Sequence, residues 1–195
     1  MNKPFDVVAV VGSLRRDSYT RRLVESLISL SPSSLKIEFV GLSDLSLYNQ
    51  DEESNPSASW VTFRSRVKRA DAVLFATPEY NRSVPGVLKN AIDIGSRPYG
   101  SSVWSGKPAA VLSCSPGAMG GFGANHHLRQ SLVFLDMPTL QQPEAYISGA
   151  DKLFGPDGAF VHPSTKQLFL GFLTAFEAWI RRQASPHSSS SSTGD

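Results

Sequence analysis

One cysteine, four histidines and almost no net charge set the first limits on this chain. Cys114 is the only thiol in 195 residues, so no disulfide can close within one copy, and such usage suits a reducing compartment. With one cysteine and four histidines, a thiolate zinc site lacks ligands and no metal site is expected. A formal charge of +2 without basic clusters is not the footprint of a nucleic-acid binder. No apolar run approaches the roughly 18 residues of a membrane span. Val7–Val11 is short and no small-residue cleavage site follows it, so no secretory leader is read and the expected compartment is the cytoplasm. Asn81-Arg82-Ser83 matches the glycosylation sequon, which has no meaning there. At 41% hydrophobic and 18% charged the chain is an ordinary globular one, long enough to bury a full core, and its length favours a single domain.

Apolar runs alternate with amphipathic stretches. Phe5–Val11, Leu35–Val40, Ala72–Thr77, Pro108–Cys114 and Met137–Gln142 read as strands, the Val-rich first one buried on both faces. Thr20–Leu30, Ser59–Ala70, Val84–Ile94, Ala124–Leu135 and Leu168–Arg181 read as helices, with Pro85 tolerated in the first turn of the third. Ser43–Ser57, which holds Leu47-Tyr48-Asn49-Gln50 and the acidic Asp51-Glu52-Glu53, reads as a polar loop. The alternation implies an α/β protein, a parallel sheet with helices on both faces. Five strands fit a flavodoxin-like doubly wound sheet of order 2-1-3-4-5, although the pattern alone does not separate this order from others. The domain is expected to span residues 1–183. Residues 184–195 are mostly serine, cannot bury apolar surface, and read as a disordered tail.

Three loops follow the first, third and fourth strands, and in a doubly wound sheet all three open on one edge. The first, Gly12-Ser13-Leu14-Arg15-Arg16-Asp17-Ser18-Tyr19-Thr20, offers hydroxyls and an arginine beside a helix N-terminus, a combination suited to a phosphate dianion. The competing reading is a plain N-cap by Ser18 with a solvated arginine. No Gly-Lys-Ser/Thr and no Gly-x-Gly-x-x-Gly is present, which favours a mononucleotide phosphate over ATP or a Rossmann-bound dinucleotide. In the second loop, Pro78–Ser83, backbone amides, the Tyr80 ring and the Asn81 amide could meet a heterocycle, though a bland turn also uses Pro and Asn. In the third, Ser113–Gly123, four glycines allow close backbone approach to a ligand or simply make a flexible loop. Cys114 reads as a core residue, since no base accompanies it. His126-His127 read as surface or packing residues, Asp93 as a helix-packing residue, and Phe169, Phe172, Phe176 and Trp179 as core or a subunit interface. Glu79 is a candidate general base, although a lone carboxylate is more often structural.

Val11-Gly12-Ser13-Leu14-Arg15 with Ser18, then Thr77-Pro78-Glu79-Tyr80-Asn81 with Ser83-Val84-Pro85-Gly86 and Leu88-Lys89-Asn90-Ala91-Ile92-Asp93, then Gly120-Gly121 with His127-Leu128-Arg129-Gln130, resemble the NADPH-dependent FMN reductase family, and within it the bacterial chromate and quinone reductases. The similarity runs from about Phe5 to Arg182. It implies a flavodoxin-like fold, bound FMN, and a homodimer or homotetramer. The implied activity is ping-pong hydride transfer from NADH or NADPH, through FMN, to quinones, with chromate, azo dyes or ferric chelates as side acceptors. Ser13, Arg15 and Ser18 would bind the FMN phosphate, with Thr20 standing where the family commonly has Asn. Pro78, Glu79, Tyr80, Asn81 and Ser83 would line the ribityl chain and ring, and Ser115 and Gly117 would close the other side. No catalytic side chain is named, because the flavin carries the chemistry. Two alternatives stand beside this: a flavodoxin-like electron carrier, and a non-enzymatic FMN-binding, redox-responsive protein. The chain departs from the family at Ile94-Gly95, where a tryptophan usually follows the Asn-Ala-Ile-Asp motif.

Overall fold

Strands β1 (Phe5–Val11), β2 (Leu35–Phe39), β3 (Ala72–Thr77), β4 (Ala109–Cys114) and β5 (Ala145–Ile147) form one parallel sheet of order β2-β1-β3-β4-β5. The computed structural model describes residues 3–155 and 159–184. β3 and β4 are buried at every position, as expected of strands covered on both faces, whereas the edge strand β2 alternates buried Leu35 and Ile37 with exposed Lys36 and Glu38.

Helices α1 (Tyr19–Leu30), α2 (Ala58–Arg69), α3 (Gly86–Ser96), α4 (Phe122–Phe134) and α5 (Pro163–Ala184) cover the sheet. Because side chains alternate along a strand, β1 sends Val7, Ala9 and Val11 to one face and Val8 and Val10 to the other. On the first face they meet Leu23, Val24 and Leu27 of α1 and Phe169, Phe172, Phe176 and Ile180 of α5. On the second they share a core with Trp60 and Phe63 of α2, Leu88 and Ile92 of α3, and Leu128 and Leu132 of α4. The aromatic residues of the last helix are therefore core.

The sequence reading needs correction at three places. The fifth strand is not Met137–Gln142. That segment touches β4 through a lone Ala109–Thr139 bridge, with the Ala109 N–H donating to the Pro138 carbonyl and the Leu140 N–H to the Ala109 carbonyl, and pairing resumes only at Ala145. Pro138 and Pro143 have no N–H to donate to a ladder. Pro85 caps α3 from outside rather than sitting in its first turn. The last helix begins at Pro163, a turn before the expected Leu168. The expected tail falls, from 185 on, outside the described residues.

At Gly95 the structure leaves no room for a side chain. A Cβ on Gly95 would lie 2.3 Å from Nε1 of Trp104. Trp104 fills that space, fully buried against Phe75 and Phe63, and its indole N–H donates to the Ile92 carbonyl at 3.0 Å.

Candidate functional site

Register brings the three loops together. Val11 lies beside Ala76 and Thr77 beside Ser113, so the loops after β1, β3 and β4 leave the same sheet edge as neighbours. The strand order reverses between β1 and β3, the place where open α/β sheets hold ligands.

In the first loop, the Gly12 N–H donates to the Ala76 carbonyl and the Arg15 N–H to Ser13 Oγ, while those of Ser13, Leu14, Arg16 and Asp17 meet no acceptor among the described residues. Leu14, Arg15, Arg16 and Asp17 are exposed. The Arg15 guanidinium lies over the Tyr19 ring, 5.7 Å from its centroid. Ser18 is the N-cap of α1: its Oγ accepts from the Arg21 N–H at 3.2 Å, and the residue is buried. Thr20 is turned inward, its hydroxyl 3.2 Å from Cys114 Sγ. Ser13 and Arg15 therefore stand at the mouth of the loop, while the hydroxyls of Ser18 and Thr20 are engaged below it. Burial pushes the Cys114 thiol pKa upward, which suits the core role read from the sequence.

The second loop is a tight hairpin. Tyr80 and Ser83 exchange backbone hydrogen bonds of 3.0 Å, and the two residues between them, Asn81 and Arg82, have φ of 51° and 63°. That is the left-handed pair of a type I′ turn. It leaves Tyr80 and Asn81 exposed at the tip. Glu79 faces the other way. Its Oε2 accepts from the Ala124 N–H in the first turn of α4 at 3.0 Å, and its Oε1 pairs with Arg82 at 2.9 Å. A Cβ on Gly123 would lie 2.9 Å from that carboxylate, so glycine is what lets the helix end approach it. The Glu79 side chain is a helix-capping anion and only 10% exposed. The geometry does not present it as a general base. Ser83 Oγ lies 2.7 Å from His127 Nδ1 on α4.

The third loop is held from beneath. The Ser115 N–H donates to Ile147, Ala150 donates back to the Ser115 carbonyl, and the Gly117 N–H donates to Ser115 Oγ at 3.1 Å. Gly120 and Gly121 have φ of 58° and 79°, and a side chain on Gly120 would strike the backbone of Tyr146. Below them the Asn125 amide donates to Ser113 Oγ and accepts from Arg129, which also donates to the Leu140 carbonyl. His126 packs against Phe122 and bonds the Tyr146 hydroxyl at 2.8 Å. Among the described residues no group of His, Cys, Asp and Glu could hold a metal ion.

The family model for NADPH-dependent FMN reductase matches residues 5–152. The chain belongs to that family. It is accordingly an oxidoreductase that works with FMN and NAD(P)H. It is 56% identical over 182 residues to a quinone reductase of Pseudomonas putida, covering 93% of this chain and 97% of that protein. It is 43% identical over 175 residues to a 2-hydroxy-1,4-benzoquinone reductase of a Burkholderia species, covering 90% and 96%. Among solved structures it resembles the flavoenzyme NAD(P)H:acceptor oxidoreductase FerB of Paracoccus denitrificans, with a TM-score of 0.86 and 40% identity over 91% of this chain and 98% of that one.

The first turns of α4 are what residue patterns missed. Ala124 and His127 anchor the second loop from more than forty positions away. Residue type reads His127 only as a surface or packing residue, and nothing in its local sequence points to Ser83.

Proposed function

We propose that the chain is an FMN-dependent NAD(P)H:acceptor oxidoreductase whose acceptors are quinones, with FMN seated across the three loops. The observation that carries this is their convergence beside the N-terminus of α1, where free N–H groups, Ser13 and Arg15 stand at one mouth. That set fits a phosphate dianion, since a helix N-terminus and a guanidinium both favour negative charge. The Tyr80–Ser83 turn and the Ser115–Gly117 segment flank the same edge and fit a flat heterocycle between them. FMN, when bound, supplies the two-electron redox chemistry. The chain's own groups bind and orient it: Arg15 and Ser13 hold the phosphate end, and backbone groups of Pro78–Asn81 meet the ring. Ser18 and Thr20 support the loop through the bonds described above. The FMN-binding domain spans 1–183.

A second copy seats on the α3–α4 face. Val133 and Phe134 are 78% and 87% exposed. Phe134 also lines a groove of about 380 Å³ together with Ile92, Leu135 and polar side chains that include Lys89, Asp93 and His127. Exposed large apolar side chains beside such a groove suit an association surface. The compartment is the cytoplasm, consistent with the single reduced cysteine; no helix of the described residues is long and apolar enough to cross a membrane.

The test is the visible spectrum of the purified protein followed by NADPH oxidation with and without a benzoquinone. Flavin absorbance, bleaching by NADPH alone and steady quinone-dependent turnover are expected. A flavin that NADPH does not bleach would point to an electron carrier, and bleaching without quinone turnover to a redox-responsive binding protein.

A further inference from the structure

The 2.7 Å contact between Ser83 Oγ and His127 Nδ1 ties the second loop to α4 at a serine assigned above to the flavin site. A hydroxyl has one hydrogen to give, whereas an imidazole nitrogen gives or takes one according to its protonation. With the proton of neutral His127 on Nε2, Nδ1 takes the Ser83 hydrogen, and Oγ can only accept from a ligand. With His127 charged, Nδ1–H donates to Oγ and the serine hydrogen is released for a ligand acceptor. We propose that His127 is a positioning residue whose protonation sets the hydrogen-bond polarity of Ser83 toward the flavin ring, and so couples the flavin's redox balance to pH. The inference rests on the FMN site proposed above.

The neighbouring charges are already committed elsewhere. From α3, Lys89 and Asp93 border the same groove as His127 and are bonded to each other at 2.8 and 2.9 Å. From the second loop, Arg82 pairs with Glu79, and Glu79 also caps α4. On α4, His126 turns to Tyr146 and Arg129 is spent on Asn125 and Leu140. Glu144, before β5, acts on Tyr146. Imidazole is the side chain whose charge ordinarily changes between about pH 5 and 8. A reduced flavin carries more negative charge on its ring heteroatoms than an oxidised one, so a donating Ser83 favours the reduced form. By reciprocity, reduction of the flavin must then favour the charged imidazole.

The experiment compares wild-type, His127→Asn and Ser83→Ala holoenzymes. Asparagine can keep a bond to Ser83 without titrating. Flavin midpoint potential is measured against pH by spectroelectrochemistry, and the His127 ring is followed by NMR in oxidised and reduced protein. The wild-type potential is expected to rise above that of His127→Asn as pH falls through the imidazole titration. The rise should correspond to about a tenfold change in the oxidised-to-reduced ratio, the size of a hydrogen bond to a charged centre. In Ser83→Ala this extra step disappears. The flavin's own ring proton contributes to all three proteins and cancels in the comparison. Superimposable curves for wild type and His127→Asn, or an NMR titration unchanged by reduction, overturn the proposal and leave the FMN site standing. A wild-type protein that binds no flavin overturns both.

Discussion

The loop from Ser46 to Glu53 and the loop from Ser13 to Asp17 are both polar, and each leads from a strand into a helix. They use their polar groups in opposite ways. In the first, Asn90 clamps the chain by donating to the Ser46 carbonyl at 3.0 Å and accepting from the Tyr48 N–H at 2.8 Å. Tyr48 stacks on Trp60 and donates to Glu53, which also accepts a hydrogen bond from the Nε–H of Arg97. Nearby, Arg64 gives its guanidinium to the carbonyls of Ile94, Gly95, Arg97 and Ser101. Burial lowers the pKa of that group, and the Glu53 carboxylate acts in the opposite direction. In the Ser13–Asp17 loop, Arg15 has a ring to rest on and no carboxylate, and the four backbone N–H groups of Ser13, Leu14, Arg16 and Asp17 have no protein acceptor among the described residues. Polar groups spent on the protein hold a loop in place, and polar groups left to solvent are available to a ligand.

This contrast is broken or sharpened by four substitutions. The largest effect belongs to the closed side. Trp104→Ala removes a fully buried indole from over Gly95 and should cost about 3–5 kcal/mol in urea denaturation while any flavin bound stays spectrally unchanged. A loss of flavin at full stability would mean the two regions are not separate. Next, Arg15→Ala should weaken FMN binding about 10- to 100-fold in a fluorescence titration, with the denaturation midpoint of the flavin-free protein unmoved. Full retention of yellow flavin would remove the phosphate from this loop. Glu79→Ala takes the anion from the first turn of α4 and should destabilise by about 1 kcal/mol. Its effect on FMN should be smaller than that of Arg15→Ala, because its carboxylate faces the helix and not the loop mouth.

The smallest effect is one of pH. The Tyr48 hydroxyl, then Arg97, holds the Glu53 carboxyl below its ordinary range. A carboxylate with a depressed folded-state pKa stabilises the fold above its unfolded pKa and loses that contribution as pH falls through the folded one. Denaturation midpoints of wild type and Glu53→Gln should therefore differ at neutral pH and converge as pH drops through and below the usual glutamate range. A constant gap across that window would show that the bonds to Glu53 matter by shape and not by charge.

Most of the fold was legible because its central strands are apolar on both faces and its helices on one. β1, β3 and the body of β4 fall where runs of Val, Ala and Leu put them. The fifth strand was misplaced because Met137–Gln142 and Ala145–Ile147 are both short apolar stretches, and prolines decide between them through the N–H groups they lack. At the site, residue types led to the three loops, and four of the named side chains have partners within the protein, the capping by Ser18 being one of the two readings its sequence allowed. Glu79 caps α4, Ser18 caps α1, Thr20 meets Cys114, and Ser83 meets His127. Asn90, in the middle of the motif that carries the resemblance, serves the Ser46–Tyr48 turn instead of a ligand.

What the sequence determined by itself is therefore local and periodic: which segments are strands or helices, that the sheet is parallel, and that three loops carry polar and glycine-rich content. What tertiary structure alone decided is the direction of each polar side chain. Whether Glu79 faces a ligand or the Ala124 N–H depends on α4 beginning beside it, forty-five positions along the chain. A side chain's chemistry is written in its residue type, but its partner is chosen by whichever unpaired donor the packed helices bring within about 3 Å.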